Sequence, residues 1–387
     1  MKTSIKTIIF SLSLIVFTSC NANNKKKNID YAQAEITDPK PNKQYIKVAL
    51  LLDTSNSMDG LIDQAKAQLW DIVNELSYAK CGNDKPDLQI ALYEYGNDRL
   101  NSDEGYIKQV LAFSNDLDEI SKELFSLTTN GGEEYCGHVI QTTLNQLKWG
   151  NNPDDLKLIF IAGNEPFTQG TVNYKHAATN ANEKDVTVNT IFCGDYRQGI
   201  STNWKDGATL TNGDYMAINQ NQQTVHIASP YDDTILILNQ KLNKTYVSYG
   251  TIGRQKMSLQ AEQDNNAESY SKANAVKRTV SKSSRFYKNK TWDLVDAEED
   301  KDFKYEDLKE SQLPEELKGK STTEIKAYVA KKRHERDAIQ KQIQELNTKR
   351  KQYVLEQKTE KSSNGLENAM TKAIKEQAKK KKYTWDN

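Results

Sequence analysis

Apolar residues fall along the chain in two kinds of run. Residues 46–52, Ile-Lys-Val-Ala-Leu-Leu-Leu, are almost continuously apolar, as a strand covered on both faces requires. Leu61, Ala65, Leu69, Ile72, Val73 and Leu76 then recur at helical spacing. Residues 88–95 read as the next strand, 107–113 as a short edge strand and 117–127 as a helix. A helix over 139–147, a buried strand over 158–162, a helix over 172–181 and a strand over 186–193 follow. This alternation predicts an α/β fold, a doubly wound and mostly parallel sheet. A last hairpin is expected to pair residues 215–218 with 225–227.

Beyond Pro230 the pattern turns helical, with Ile235, Leu238, Leu242, Tyr246 and Tyr249 on one stripe and a break at Gly250 and Gly253. Residues 292–317 are acidic and irregular, with Glu298-Glu299-Asp300 and Pro314. Ser321-Thr322-Thr323-Glu324 has capping-box spacing and opens a long polar helix bearing Ile325, Val329, Ile339, Ile343, Leu346 and Tyr353. That helix reads as one arm of a helical hairpin packed against Leu366, Met370 and Ile374. The closing lysines 379–382 read as a solvated helix end.

At the other terminus, Lys2 and Lys6 precede an apolar run over residues 8–17, and Thr18-Ser19 lead to Cys20. This is the layout of a secretory signal, too short to span as a mature helix. A cysteine directly after the small residues resembles a bacterial lipobox, so Cys20 is expected to be lipidated and to become the mature N-terminus. Phe17 departs from the leucine usual there. The organisation expected is a lipoprotein signal peptide over 1–19, a flexible tether over 20–43 and an α/β domain over 44–229. A helical extension over 230–290, an acidic linker over 291–318 and a helical hairpin tail over 319–387 complete it. The C-terminal half is expected to be separable, with cleavage favoured within 292–317. A hydrophobic content of 36% is low for one compact domain and fits a normal core joined to polar helices. With 53 basic and 53 acidic side chains there is no global basic footprint, so nucleic acid is not an expected partner.

Chemistry enters directly after the first buried strand, at Asp53-Thr54-Ser55-Asn56-Ser57. A strand ending in a tight loop before a helix gathers one carboxylate and two hydroxyls around one point. These are hard oxygen ligands suited to Mg²⁺, Ca²⁺ or Mn²⁺. Helix capping is the alternative use of the same residues. This D-x-S-x-S motif, set between an apolar strand and an amphipathic helix, resembles the metal-ion-dependent adhesion site of the von Willebrand factor type A (vWA) family. The resemblance covers about residues 44–228 and extends to residues 204–215, which look like the family's final helix and strand.

The family completes its site with a threonine before the third helix and an aspartate after the fourth strand, and this sequence departs from both. Glu133 follows the paired glycines Gly131-Gly132, and Gly163-Asn164 stand where the family has Asp-Gly. The resemblance therefore implies a rearranged site in which Glu133 joins Asp53, Ser55 and Ser57, with Asn164 and Thr129 as further candidate ligands. Its alternative is a vestigial site with Glu133 facing solvent. Without Cys20, the odd number Cys81, Cys136 and Cys193 allows at most one intrachain disulfide. Cys136 and Cys193 are both expected at the carboxyl edge of the sheet, which would permit a bridge without requiring one. His138, His176, His226 and His334 lack zinc-ligand spacing.

No Gly-x-Ser-x-Gly, His-Glu-x-x-His or paired base is present. The expected function is therefore binding and not catalysis: an envelope lipoprotein, anchored to a bacterial membrane by its N-terminal lipid, whose divalent ion meets an acidic side chain of a protein partner. The alternative is a structural envelope scaffold acting through its C-terminal helices, with a vestigial metal site. Replacing Cys20 with serine should move the protein out of the detergent phase and change its mature mass. Retention there at unchanged mass would remove the lipid anchor.

Overall fold

The structure is a computed structural model that describes residues 43–82, 84–221, 227–357 and 366–385. The expected signal peptide and Cys20 lie outside these residues, as do Val225 and His226 of the expected hairpin.

Nine residues of β1 (Tyr45–Asp53) form the centre of a six-stranded sheet. Parallel neighbours flank it: β3 (Asp87–Tyr95) on one side and β5 (Leu156–Gly163) on the other. Beyond β5 come β6 (Thr187–Cys193) and β7 (Tyr215–Ile218), both parallel, and the opposite edge is β4 (Ile107–Ser114), antiparallel to β3. The expected strands over 46–52, 88–95, 107–113, 158–162, 186–193 and 215–218 are present, with 107–113 at an edge, but 215–218 pairs parallel with β6.

Alternation along the strands sends side chains to two separate cores. Val48, Leu50 and Leu52 of β1 face one core, Ala49 and Leu51 the other. The second core is closed by α3 (Cys136–Gln146), α4 (Tyr174–Glu183) and α6 (Trp204–Thr209), with α5 (Tyr196–Ser201) at the strand ends. The first is closed by α1 (Asp59–Leu76), α2 (Leu117–Ser126) and the C-terminal half of the chain.

That last contribution overturns the expected division into separable parts. The C-terminal elements are α7 (Asp232–Asn243), α8 (Gly253–Tyr270), α9 (Lys272–Lys282), α10 (Leu294–Ala297), α11 (Thr322–Gln357) and α12 (Leu366–Lys379). Residues 43–387 are one compact unit. α12 lies beside α1 against the sheet, and its Met370 meets Leu50, Leu52, Phe160, Ala162 and Ile191 around a small apolar cavity. Gln377 reaches the buried Asn189 of β6, whose amide donates back at 3.1 Å. A short strand, β8 (Tyr383–Trp385), then pairs antiparallel with β2 (Ala79–Cys81) just after α1. Lys381 is likewise engaged, donating to the carbonyls of Pro153 and Asp155.

The expected hairpin is therefore corrected. α11 packs mainly against α7, α9 and α10, while α12 packs against α1 and β5, because their apolar stripes are buried against different neighbours. The expected linker is corrected too. Val247, Leu294, Val295, Tyr305, Leu313 and Leu317 form a small core with Ile325 and Val329 of α11. The polar look of α11 has a cause: its buried stripe includes Arg336 and Arg350, each paired to a carboxylate. Among the described residues, no helix is long and apolar enough to cross a membrane.

Ile374 of α12 is 1% exposed within the first core. Ile374→Ala should lower stability by about 2 to 5 kcal/mol. Urea unfolding should stay a single transition for sheet and C-terminal helices together. Two separated transitions would restore the separable tail.

Candidate functional site

Four loops meet beyond the carboxyl ends of β1, β3 and β5. β1 ends at Asp53, and the chain turns at once through a 3₁₀ turn, Asn56–Met58, into α1. Asp53 is wholly buried and accepts the Ser55 backbone N–H on Oδ1 at 2.8 Å, while its Oδ2 is buried with no hydrogen-bond partner among the described residues. Ser55 and Ser57 place their hydroxyl oxygens 3.3 Å apart. Neither Ser55, at the start of the 3₁₀ turn, nor Met58, at the start of α1, makes a side-chain cap, so the hydroxyls are not used up by capping.

The loop after β5 brings Asn164 to this group. Its amide donates to Ser57 Oγ at 3.2 Å, and its Oδ1 is buried without a partner. Gly163 explains the missing family aspartate. A Cβ there would sit 2.6 Å from the Tyr95 hydroxyl and 3.0 Å from Asp53 Oδ2. Tyr95, fully buried on β3 and donating to the Ala162 carbonyl at 2.9 Å, occupies the space that a side chain at 163 would need.

The loop before α3 behaves differently from the expectation. Gly132 runs against Gly96 and Asn97 and Gly131 against Asp98, with Asn130 N–H donating to the Thr54 carbonyl at 2.9 Å. This close backbone approach fixes the loop. Glu133 then points outward, exposed, and accepts from Gln169 at 2.8 Å. Glu133 is thus removed from the expected ligand set. Its neighbour Glu134 turns inward, 6% exposed, and hydrogen-bonds the Ser55 side chain. At Gly96, where φ is +79°, a Cβ would lie 2.7 Å from Glu134 Cγ and 2.9 Å from Asp53 Oδ1, so the Glu134 side chain and the Asp53 carboxylate both pass close to this glycine. Thr129 donates its hydroxyl to Asp59 at the start of α1, at the rim.

Burial pushes the Asp53 carboxyl up to about 7, against the pull of its Ser55 hydrogen bonds. Burial likewise raises Glu134 to about 8, reinforced by the charges of Asp53 and Glu165. Sequence reasoning missed Glu134 and Tyr95. The only signal for Glu134 was the doubled glutamate after two glycines, which does not say which one faces in.

Cys136 and Cys193 are both buried and free. The strand period separates them: Cys193 lies in the core under α1 and α12, Cys136 in the core on the other side of the sheet. Sharing an edge did not mean sharing a face, and no disulfide joins them.

The geometry defines an α/β domain whose strand-to-helix loop gathers a buried carboxylate and two serine hydroxyls at the carboxyl edge of the sheet. The sequence model of the von Willebrand factor type A domain family matches residues 47–223, and this chain carries a vWA domain. Domains of this family commonly mediate protein–protein interaction. The chain is similar to the conserved hypothetical protein BatB from Bacteroides thetaiotaomicron, at 15% identity over 45% of this chain and 90% of that one, with a TM-score of 0.34. It is also similar to the SpRpn10 VWA domain, at 16% identity over 46% of this chain and 90% of that one, TM-score 0.35. A third similar structure is an aerotolerance-related membrane protein from Bacteroides fragilis, at 16% identity over 46% and 93%, TM-score 0.30. No curated protein matches the chain.

Gly163→Ala should cost about 1 to 3 kcal/mol through overpacking against Tyr95 and Asp53, read by urea denaturation. A neutral or stabilising effect would show that Tyr95 does not hold that space.

Proposed function

We propose that this vWA domain captures a protein partner through a divalent cation at the mouth of the Asp53 loop, with an acidic side chain of the partner as the group it meets. Mg²⁺ is the first choice, with Ca²⁺ or Mn²⁺ as alternatives. The observation that carries the reading is Asp53 Oδ2, a carboxylate oxygen buried without a partner beside two hydroxyls. An orphaned buried acceptor costs stability unless something satisfies it, and the donor set here is all hard oxygen. Asp53, Ser55 and Ser57 would hold the ion, and the Asn164 amide oxygen, also without a partner, is a fourth candidate. The ion would supply a positive charge directed at an incoming carboxylate. Ser57 is exposed, which leaves the site open to solvent on that side.

The role is binding and not turnover. The proposal includes the N-terminal anchor: the domain is tethered to a bacterial envelope membrane through lipid on Cys20. The C-terminal helices support the binding reading over a scaffold reading, since their apolar stripes are spent on the domain's own sheet.

Calorimetry with Mn²⁺ and Mg²⁺ should show binding by the parent protein and none by Asp53→Ala. Capture of envelope proteins should require the ion, and chelator or Asp53→Ala should abolish it. Equal capture in chelator would overturn the metal-dependent reading.

A further inference from the structure

We infer that Glu134 is a built-in ligand of the Asp53 site, so that this domain holds a divalent cation with two carboxylates of its own before any partner arrives. The inference rests on the metal-dependent reading above and adds to it a residue that neither the motif nor the family pattern supplies.

Three observations carry it. Asp53 and Glu134 come from different loops, yet both approach the small volume in front of Gly96. Both are buried, at 0% and 6% exposure, and both engage Ser55. Among the described residues, Asp53 Oδ2 also has no hydrogen-bond partner. Two carboxylates buried together are mutually repulsive and poorly solvated. Elsewhere in this protein buried acids are matched by cations: Asp118 and Asp264 by Arg278, Asp264 by Lys282, Asp293 and Asp296 by Arg336. At Asp53 and Glu134 the surrounding groups are instead hydroxyls, an amide and the further carboxylate Glu165. A divalent cation fills the missing part. Its charge equals that of the two carboxylates, and Ser55, Ser57 and Asn164 add neutral oxygens at the same place.

The backbone is built to press Glu134 inward. Gly96 and Gly132 lie against one another, and a side chain on either would collide with the opposite loop or with the carboxylates themselves. The loop before α3 therefore brings in a charge one residue beyond the place that the family gives to threonine, while the aspartate place after β5 is closed by Tyr95.

The test is Mn²⁺ calorimetry on the full chain without any partner, comparing parent, Glu134→Gln, Glu134→Asp, Glu133→Gln and Asp53→Ala. Thermal melts with and without Mn²⁺ confirm folding and give a second readout. Glu134→Gln should weaken Mn²⁺ binding about tenfold or more and shrink the Mn²⁺-induced rise in melting temperature. Glu134→Asp, which keeps the charge, should bind better than Glu134→Gln, and Glu133→Gln should match the parent. If Asp53→Ala abolishes binding while Glu134→Gln binds like the parent, Glu134 is not a ligand and the Asp53 site stands without it. If the parent binds no ion, the inference and the metal-dependent reading fall together.

Discussion

The sheet is apolar on both faces, and everything else in the molecule answers to that constraint. β1 and β5 are buried along almost their whole length, so each face needs a roof of helices. On one face α3, α4 and α6 supply it from within the domain. On the other α1 is not enough, and α12 returns from the far end of the sequence to lie beside it. Burial of apolar surface at about 25 cal/mol per Å² gives ample reason for that return.

Against α1 and α2 the chain builds a second layer of helices, positioned by buried ion pairs. Arg278 of α9, 1% exposed, donates to Asp118 of α2 at 2.8 Å and to Asp264 of α8 at 2.6 Å, and lies over the Trp70 ring of α1. Arg336 of α11 joins Asp293 and Asp296 and covers the Tyr246 ring in the same way. Buried pairs of this kind add little net stability, because desolvation offsets the attraction, but a mispaired arrangement would strand a charge. They select one packing of α7 to α11 over the others open to amphipathic helices.

The rigid sheet also sets the chemistry of the loops at its carboxyl edge. Parallel strands β1, β3 and β5 end at one level, so Asp53, Tyr95 and Gly163 arrive side by side, and the loops that follow have little room to vary. Tyr95 and the glycines at 96, 132 and 163 interlock there. Crowding of this kind leaves no room for a side chain at 163 and turns Glu134 inward beside Ser55.

The strands of the six-stranded sheet, α1 to α4 and the motif at Asp53 were legible in the sequence, because each is written in local periodicity or in adjacent residues, whereas α5 and the short pair β2 and β8 were not. The composition shift near Pro230 was also visible, but it was misleading about separability. Arg278, Arg336 and Arg350 look like surface residues until their carboxylate partners arrive from distant segments. Glu133 and Glu134 are chemically identical in sequence, and only the contact of two glycine-bearing loops decides which one faces Asp53. Cys136 and Cys193 share an edge by sequence and are parted by the sheet in space. Local pattern determined which segments became strands and helices. Which faces they showed one another, and hence which charges met, was decided by long-range packing, because burial depends on neighbours that sequence spacing does not specify.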